Sequence, residues 1–151
     1  MFAFIAAQNF SPPNGSKDRY SQTGQSVQRL VLGFKEVTSV VIAGEPFATY
    51  MEVTGIEADH ITLVLEGATP RTEIQLLHYR NPASIPDPHI CDLHKIGFNH
   101  VCFAVDDVEA EISKIRAAGF KTRSTILDFH SCKLVFLRGP EGVTVELSQW
   151  H

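Results

Sequence analysis

Apolar and polar residues alternate with period two in several short runs of the chain. From His100 to Val105, the residues His100, Cys102 and Ala104 share one parity, and Val101, Phe103 and Val105 share the other. From Val143 to Leu147, Thr144, Glu146 and Ser148 alternate with Val143, Val145 and Leu147. Both runs predict strands with one plain apolar face and one mixed face. Further strands are predicted over Phe2 to Ala7, Phe34 to Val41, Asp59 to Leu65, Glu73 to Tyr79, Thr122 to Leu127 and Cys132 to Leu137, with Thr49 to Val53 as another candidate.

A different period marks the helices. Val108, Ile112 and Ile115 fall at i, i+4 and i+7, which makes one apolar stripe. Asp106 or Asp107 can cap the start, Glu109 and Glu111 suit the positive end, and Gly119 supplies a stop. Ser26 to Leu32 reads as a second, shorter helix that ends at Gly33. Gln8 to Gln22, with Pro12-Pro13-Asn14-Gly15 at its centre, reads as a long loop.

The order of elements repeats. Leu32-Gly33-Phe34-Lys35 echoes Ala118-Gly119-Phe120-Lys121, and each echo follows a helix and opens a strand. Residues 1–82 therefore read as a first strand-helix-strand-strand-strand module, 83–96 as a connector rich in proline, and 97–151 as a second module. Together they fit one domain.

Composition narrows the possibilities. The 151 residues are 44% hydrophobic, enough for a full core. A net charge of −4 without a basic cluster argues against nucleic acid as a partner. Three cysteines, Cys91, Cys102 and Cys132, with no C-x-x-C spacing argue against a disulfide framework and fit a reducing cytoplasm. The apolar N-terminus lacks a basic flank and reads as a strand rather than a leader, and no apolar run is long enough to span a bilayer.

The chemistry is concentrated on the mixed faces. His100 and Glu146 each sit on the less apolar face of a strand, and imidazole plus carboxylate is half of a divalent metal site. A carboxylate in that position needs solvent, a partner cation or a metal. Cys102 reads as a small core residue, and His60 shares the parity of Thr62 and Val64. His78, His89, His94, His130 and His151 read as surface or loop residues, and Arg138 as a charge flanking a turn.

Three segments together resemble the vicinal-oxygen-chelate superfamily of glyoxalases, bleomycin-resistance proteins and extradiol dioxygenases. They are Gly97-Phe-Asn-His-Val-Cys-Phe-Ala-Val-Asp-Asp107, Arg116-Ala-Ala-Gly-Phe120 and Phe136-Leu-Arg-Gly-Pro-Glu-Gly-Val-Thr-Val-Glu-Leu147. Val31 to Val37 and Glu73 to Pro82 add matches in the first half. The resemblance implies an α+β fold of two βαβββ modules forming a curved mixed-sheet cup. It implies a divalent metal ion, a small-molecule ligand with vicinal oxygens, and a homodimer.

By the same resemblance the ligands come from the first and last strand of each module. His100 and Glu146 match those positions in the second module, and Gln75 matches the last-strand position of the first. The fourth position is open. The offset from His100 to Gly119, applied back from Gly33, falls on Asn14, whereas taking Phe2 to Ala7 as the first strand puts Phe2 there. Neither supplies a good ligand. The implied activity is that of a glyoxalase-like lyase or isomerase, with Glu146 as ligand, base or both in turn. The alternative is a metal-free protein of the bleomycin-resistance type that binds or sequesters a small molecule.

Overall fold

The structure is a computed structural model that describes the backbone of residues 2–7, and residues 32–139 and 142–151 with their side chains. It divides into two compact units, Met1–Pro86 and Asp87–His151. The stretch 83–96, expected as a connector, is split by that boundary, and its residues from Asp87 onward belong to the second unit. The helix expected over Ser26 to Leu32 and the loop over Gln8 to Gln22 lie outside the described residues, apart from Leu32.

The first unit holds β1 (Phe2–Ala7), β2 (Phe34–Ala43), α1 (Phe47–Met51), β3 (Glu57–Leu65) and β4 (Thr72–Asn81). The sheet order is β1-β4-β3-β2, with β1 parallel to β4 and the other neighbours antiparallel. Phe34, Ile61, Leu63, Ile74 and Leu76 are buried on one face of this sheet. Thr49 to Val53 does not form the expected strand, because most of it lies in or just after α1. The amides of Ala48 and Tyr50 bond to the carbonyls of Gly44 and Pro46, and Thr49 bonds to the Glu45 carboxylate through both its amide and its hydroxyl. These local partners satisfy the donors that a strand would have offered a neighbour.

The second unit holds β5 (His100–Ala104), α2 (Val108–Ala117), β6 (Leu127–Phe129), β7 (Cys132–Arg138) and β8 (Thr144–Trp150). Its order, β5-β8-β7-β6, repeats that of the first unit, again with the outer first strand parallel to the last. Val135, Leu137, Val145 and Leu147 are buried on one face, and α2 covers them with Val108, Ile112 and Ile115. Asp107 caps that helix by accepting a bond from Ala110 N at 2.9 Å, and Gln149 of β8 accepts from Val108 N at 3.0 Å. The glycines of the internal echo take matching left-handed conformations, with φ of +74° at Gly33 and +85° at Gly119.

The strand expected over Thr122 to Leu127 is reduced to one bridge, Thr122 to Leu137, and regular pairing begins only at β6. The amides of Arg123 and Ser124 converge on the single carbonyl of Phe136, at 2.6 and 3.3 Å. The Ser124 hydroxyl accepts from Phe136 N in place of a backbone carbonyl. A ladder of alternating backbone bonds cannot pass through that point.

Candidate functional site

Strand register builds the second unit's mixed face row by row, since residues directly opposite one another project to the same side. One row is His100, Thr144 and Arg138; the next is Cys102, Glu146 and Phe136; a third is Ala104, Ser148 and Leu134. The parity read from sequence thus puts His100 and Glu146 on one face of neighbouring strands. Their side chains meet, with His100 Nε2 at 3.5 Å from Glu146 Oε2.

The protonation of that imidazole follows from its other neighbours. Asn99 Nδ2 donates to Leu93 O at 3.1 Å and to Lys95 O at 3.3 Å, which fixes the amide's orientation. Its Oδ1 therefore faces His100 Nδ1, at 2.6 Å. A carbonyl oxygen only accepts, so Nδ1 carries the proton. In a neutral ring Nε2 then carries a lone pair 3.5 Å from a carboxylate oxygen. Two acceptors face each other favourably only around a cation, which is either a second ring proton or a metal ion.

The pair fits a divalent ion. Two ligands each about 2.1 Å from one ion lie about 3.0–3.4 Å apart at bond angles near 90–109°, close to the observed separation. An Nδ1–H bonded to an amide oxygen is also the usual support for a ligating histidine. Among the described residues, no group of three or more His, Cys, Asp or Glu side chains is gathered to hold an ion, so His100 and Glu146 supply two positions.

The surroundings are partly dry. The Glu146 side chain is 15% exposed, whereas that of His100 is 41% exposed. Phe136 meets the imidazole edge-on, with centroids 6.4 Å apart. Cys102, expected as a small core residue, is instead exposed, because it lies on the mixed face of the outer strand β5, and its Sγ is 3.3 Å from Ser148 Oγ. Burial pushes its thiol up, the Ser148 hydrogen bond opposes this, and the Glu146 charge adds to it, so Cys102 is a protonated thiol rather than a nucleophile at neutral pH.

In the first unit, Gln75 stands on β4 opposite Thr62 of β3 and Phe4 of β1. Its Nε2 donates to Glu73 Oε1 at 3.2 Å, and its amide oxygen is the atom it can offer a metal ion. Arg71 bonds Glu73 at 2.9 Å and, with Gln75, holds that carboxyl below its ordinary range. His60 lies on the same face as Thr62 and Gln75, as its parity predicted. His78, expected on the surface or in a loop, is instead a half-buried strand residue whose Nδ1 lies 3.2 Å from Asp59 Oδ2.

The register also bears on the open fourth position. Glu146 pairs with Cys102 and Gln75 pairs with Phe4, so one step earlier Phe2 takes the place that His100 holds in the second unit. Asn14, the other reading, lies outside the described residues. Two residues of the site were not singled out from sequence. Asn99 was seen only as part of a motif, and Arg123, whose Nη1 donates to Thr144 Oγ1 at 2.8 Å, gave no sequence signal.

Two units with the same strand order, each last strand bordered by a parallel first strand, define a paired-module α+β protein. The model of the glyoxalase/bleomycin resistance protein/dioxygenase superfamily matches residues 29–147, and the chain belongs to that superfamily. Solved structures share the fold at low sequence identity. A glyoxalase family protein from Bacillus cereus superposes with a TM-score of 0.76 at 18% identity, over 97% of this chain and 90% of that one. The fosfomycin resistance protein FosX from Listeria monocytogenes gives 0.58 at 9% identity, over 100% and 92% of the two chains. TnmS3, an antibiotic binding protein from a Streptomyces species, gives 0.54 at 13% identity, over 98% and 88%. Among proteins of curated function, none matches the chain in sequence.

Proposed function

We propose that the protein is a glyoxalase-like, divalent-metal-dependent lyase or isomerase acting on a small molecule with vicinal oxygens, with His100 and Glu146 as metal ligands. The observation that carries the proposal is His100 Nε2 lying 3.5 Å from the Glu146 carboxylate while its Nδ1 meets Asn99 Oδ1. A bound divalent ion would polarise the ligand's oxygens and stabilise negative charge on them. The remaining work falls to the chain. Asn99 holds the imidazole in its Nδ1–H form, and Phe136 stands edge-on to its ring. Glu146, mostly buried, is the group in this reading that takes a proton from one carbon and returns it to the next. Gln75 offers an amide oxygen at the matching place in the first module.

FosX, which shares the fold, has been crystallised with Mn(II) and sulfate. A second reading is favoured by Phe2 at the register position of His100, because an apolar residue there removes a ligand. In that reading His100 is protonated, pairs with Glu146, and the protein binds or sequesters a small molecule without metal, as a relative such as the antibiotic binding protein TnmS3 suggests. A homodimer and a cytoplasmic location complete the proposal. All three cysteines are free thiols, and among the described residues no helix is long and apolar enough to cross a membrane.

Elemental analysis and Mn²⁺ titration of the purified protein separate the two readings. The metal reading expects near-stoichiometric divalent metal and its loss in His100→Ala. Metal-free protein that binds small ligands and ignores Mn²⁺ would overturn it.

A further inference from the structure

The rows around Thr144 hold positive charge that no carboxylate among the described residues pairs with. Arg123 donates from Nη1 and Nη2 to Cys91 O, both at 3.1 Å, and from Nη1 to Thr144 Oγ1 at 2.8 Å. Thr144 is fully buried and lies directly opposite His100. A guanidinium has five N–H donors, so Nε–H and one Nη2–H of Arg123 have no partner among the described residues. Arg138 stands on the other side of Thr144, exposed at the end of β7. Neither arginine has a carboxylate partner among the described residues. By contrast, Arg71 is committed to Glu73, and Arg80 to Asp59 and Glu57.

We propose that Arg123, backed by Arg138, is an anion-recognition site that selects a small carboxylate as the ligand of the His100–Glu146 face. The inference rests on the reading of that pair as the reactive end of the site. A planar guanidinium fork whose two remaining donors no described residue uses matches a carboxylate better than a neutral group. Its anchor, Thr144, is one strand spacing of about 4.8 Å from His100, the span of a two- or three-carbon acid. An anion held by Arg123 with its neighbouring oxygen toward His100 and Glu146 is a 2-hydroxy or 2-oxo carboxylate, in which the carboxyl and the adjacent oxygen form the vicinal pair. The arginine is held in place before any ligand arrives, because three bonds already fix its guanidinium.

The test uses lactate and its neutral isostere lactamide, titrated calorimetrically into the full chain with and without Mn²⁺. Wild-type protein is expected to bind lactate at least about tenfold more tightly than lactamide, and Arg123→Gln to abolish that preference. Arg123→Lys keeps the charge but loses the fork and should fall between them, while Arg138→Gln, at an exposed position, should lose about threefold on lactate. Mn²⁺ titrated alone should bind Arg123→Gln as well as or better than wild type, since a nearby cation has gone. A residue that merely braced the fold would weaken both ligands and the metal alike. The inference is overturned by that uniform loss, by equal binding of lactate and lactamide, or by no lactate binding in wild type. If Arg123→Gln fails to fold by circular dichroism, the lactate-to-lactamide ratios of Arg123→Lys and Arg138→Gln decide the matter. Lactate preference in a protein that ignores Mn²⁺ would overturn the metal reading alone.

Discussion

Replacing Asn99 with alanine removes the acceptor from His100 Nδ1 and leaves both suggested metal ligands in place. The bond lost is short, 2.6 Å between Oδ1 and Nδ1. A hydrogen bond to a group that gains charge on ligation contributes about 1.5–3 kcal/mol. The His100 side chain is 41% exposed, so water can take over part of the acceptor's role and the lower end of that range applies. About 1.4 kcal/mol corresponds to a tenfold loss of affinity, at the low end of the roughly 10–100-fold range for supporting partners of metal ligands. Mn²⁺ calorimetry should therefore give a dissociation constant about tenfold weaker for Asn99→Ala, against near-complete loss for His100→Ala. Asn99→Asp keeps an acceptor for Nδ1 but loses the donors to Leu93 O and Lys95 O, and should recover part of the loss. Unchanged affinity in Asn99→Ala, alongside loss in His100→Ala, would refute the assignment of the ring proton to Nδ1 and the argument built on it.

Two further outcomes test the frame around the site. Gly142 has φ of +90°, and a Cβ there would come within 2.9 Å of both Cys91 Sγ and Ile90 Cγ2. Gly142→Ala should therefore cost about 1–3 kcal/mol, read as a fall of several degrees in thermal midpoint. Asp59 is held below the ordinary aspartate range, first by its hydrogen bond from Arg80 and then by His78, against an opposing cost of burial. A depressed carboxylate adds stability that is present above its unfolded value of about 3.9 and is lost as pH falls through the lower folded value. The stability gap between wild type and Asp59→Asn in urea titrations should be constant near neutrality and shrink below about pH 4; a gap that widened there would contradict the sign.

The strands that carry His100 and Glu146 were legible because each has a solid apolar stripe on one face. Val145 and Leu147 are buried, and that settles where Glu146 must point. The helix between them was legible for the same kind of reason, with Asp107 as its cap and Val108, Ile112 and Ile115 as its buried stripe. Thr49 to Val53 misled because threonine and tyrosine favour strands, while the local bonds to Glu45, Gly44 and Pro46 close a helical turn instead. Thr122 to Leu127 misled because Arg123 and Ser124 share one carbonyl, an event that leaves no trace in hydrophobic period. Asn99 and Arg123 were missed for a related reason. Their importance lies in partners such as Lys95 O and Cys91 O, which are backbone groups and invisible to side-chain pattern. Arg138, read as a charge beside a turn, closes β7 in the row of Thr144 and His100.

The stretch just before β5 has no regular strand or helix, yet it is fastened to the second unit at several points. Cys91 Sγ donates to Gly142 O at 3.2 Å, Cys91 O receives the Arg123 guanidinium, and Leu93 O and Lys95 O receive Asn99. Three carbonyls thus act as guy-lines on the guanidinium and, through Asn99, on the imidazole, while the Cys91 thiol ties the stretch to Gly142. A second module cut to begin at Gly97 would keep every strand and lose the rigging. Asn99 and Arg123 draw on Cys91, Leu93 and Lys95, so insertions between Cys91 and Lys95 should detune the site while leaving both sheets intact.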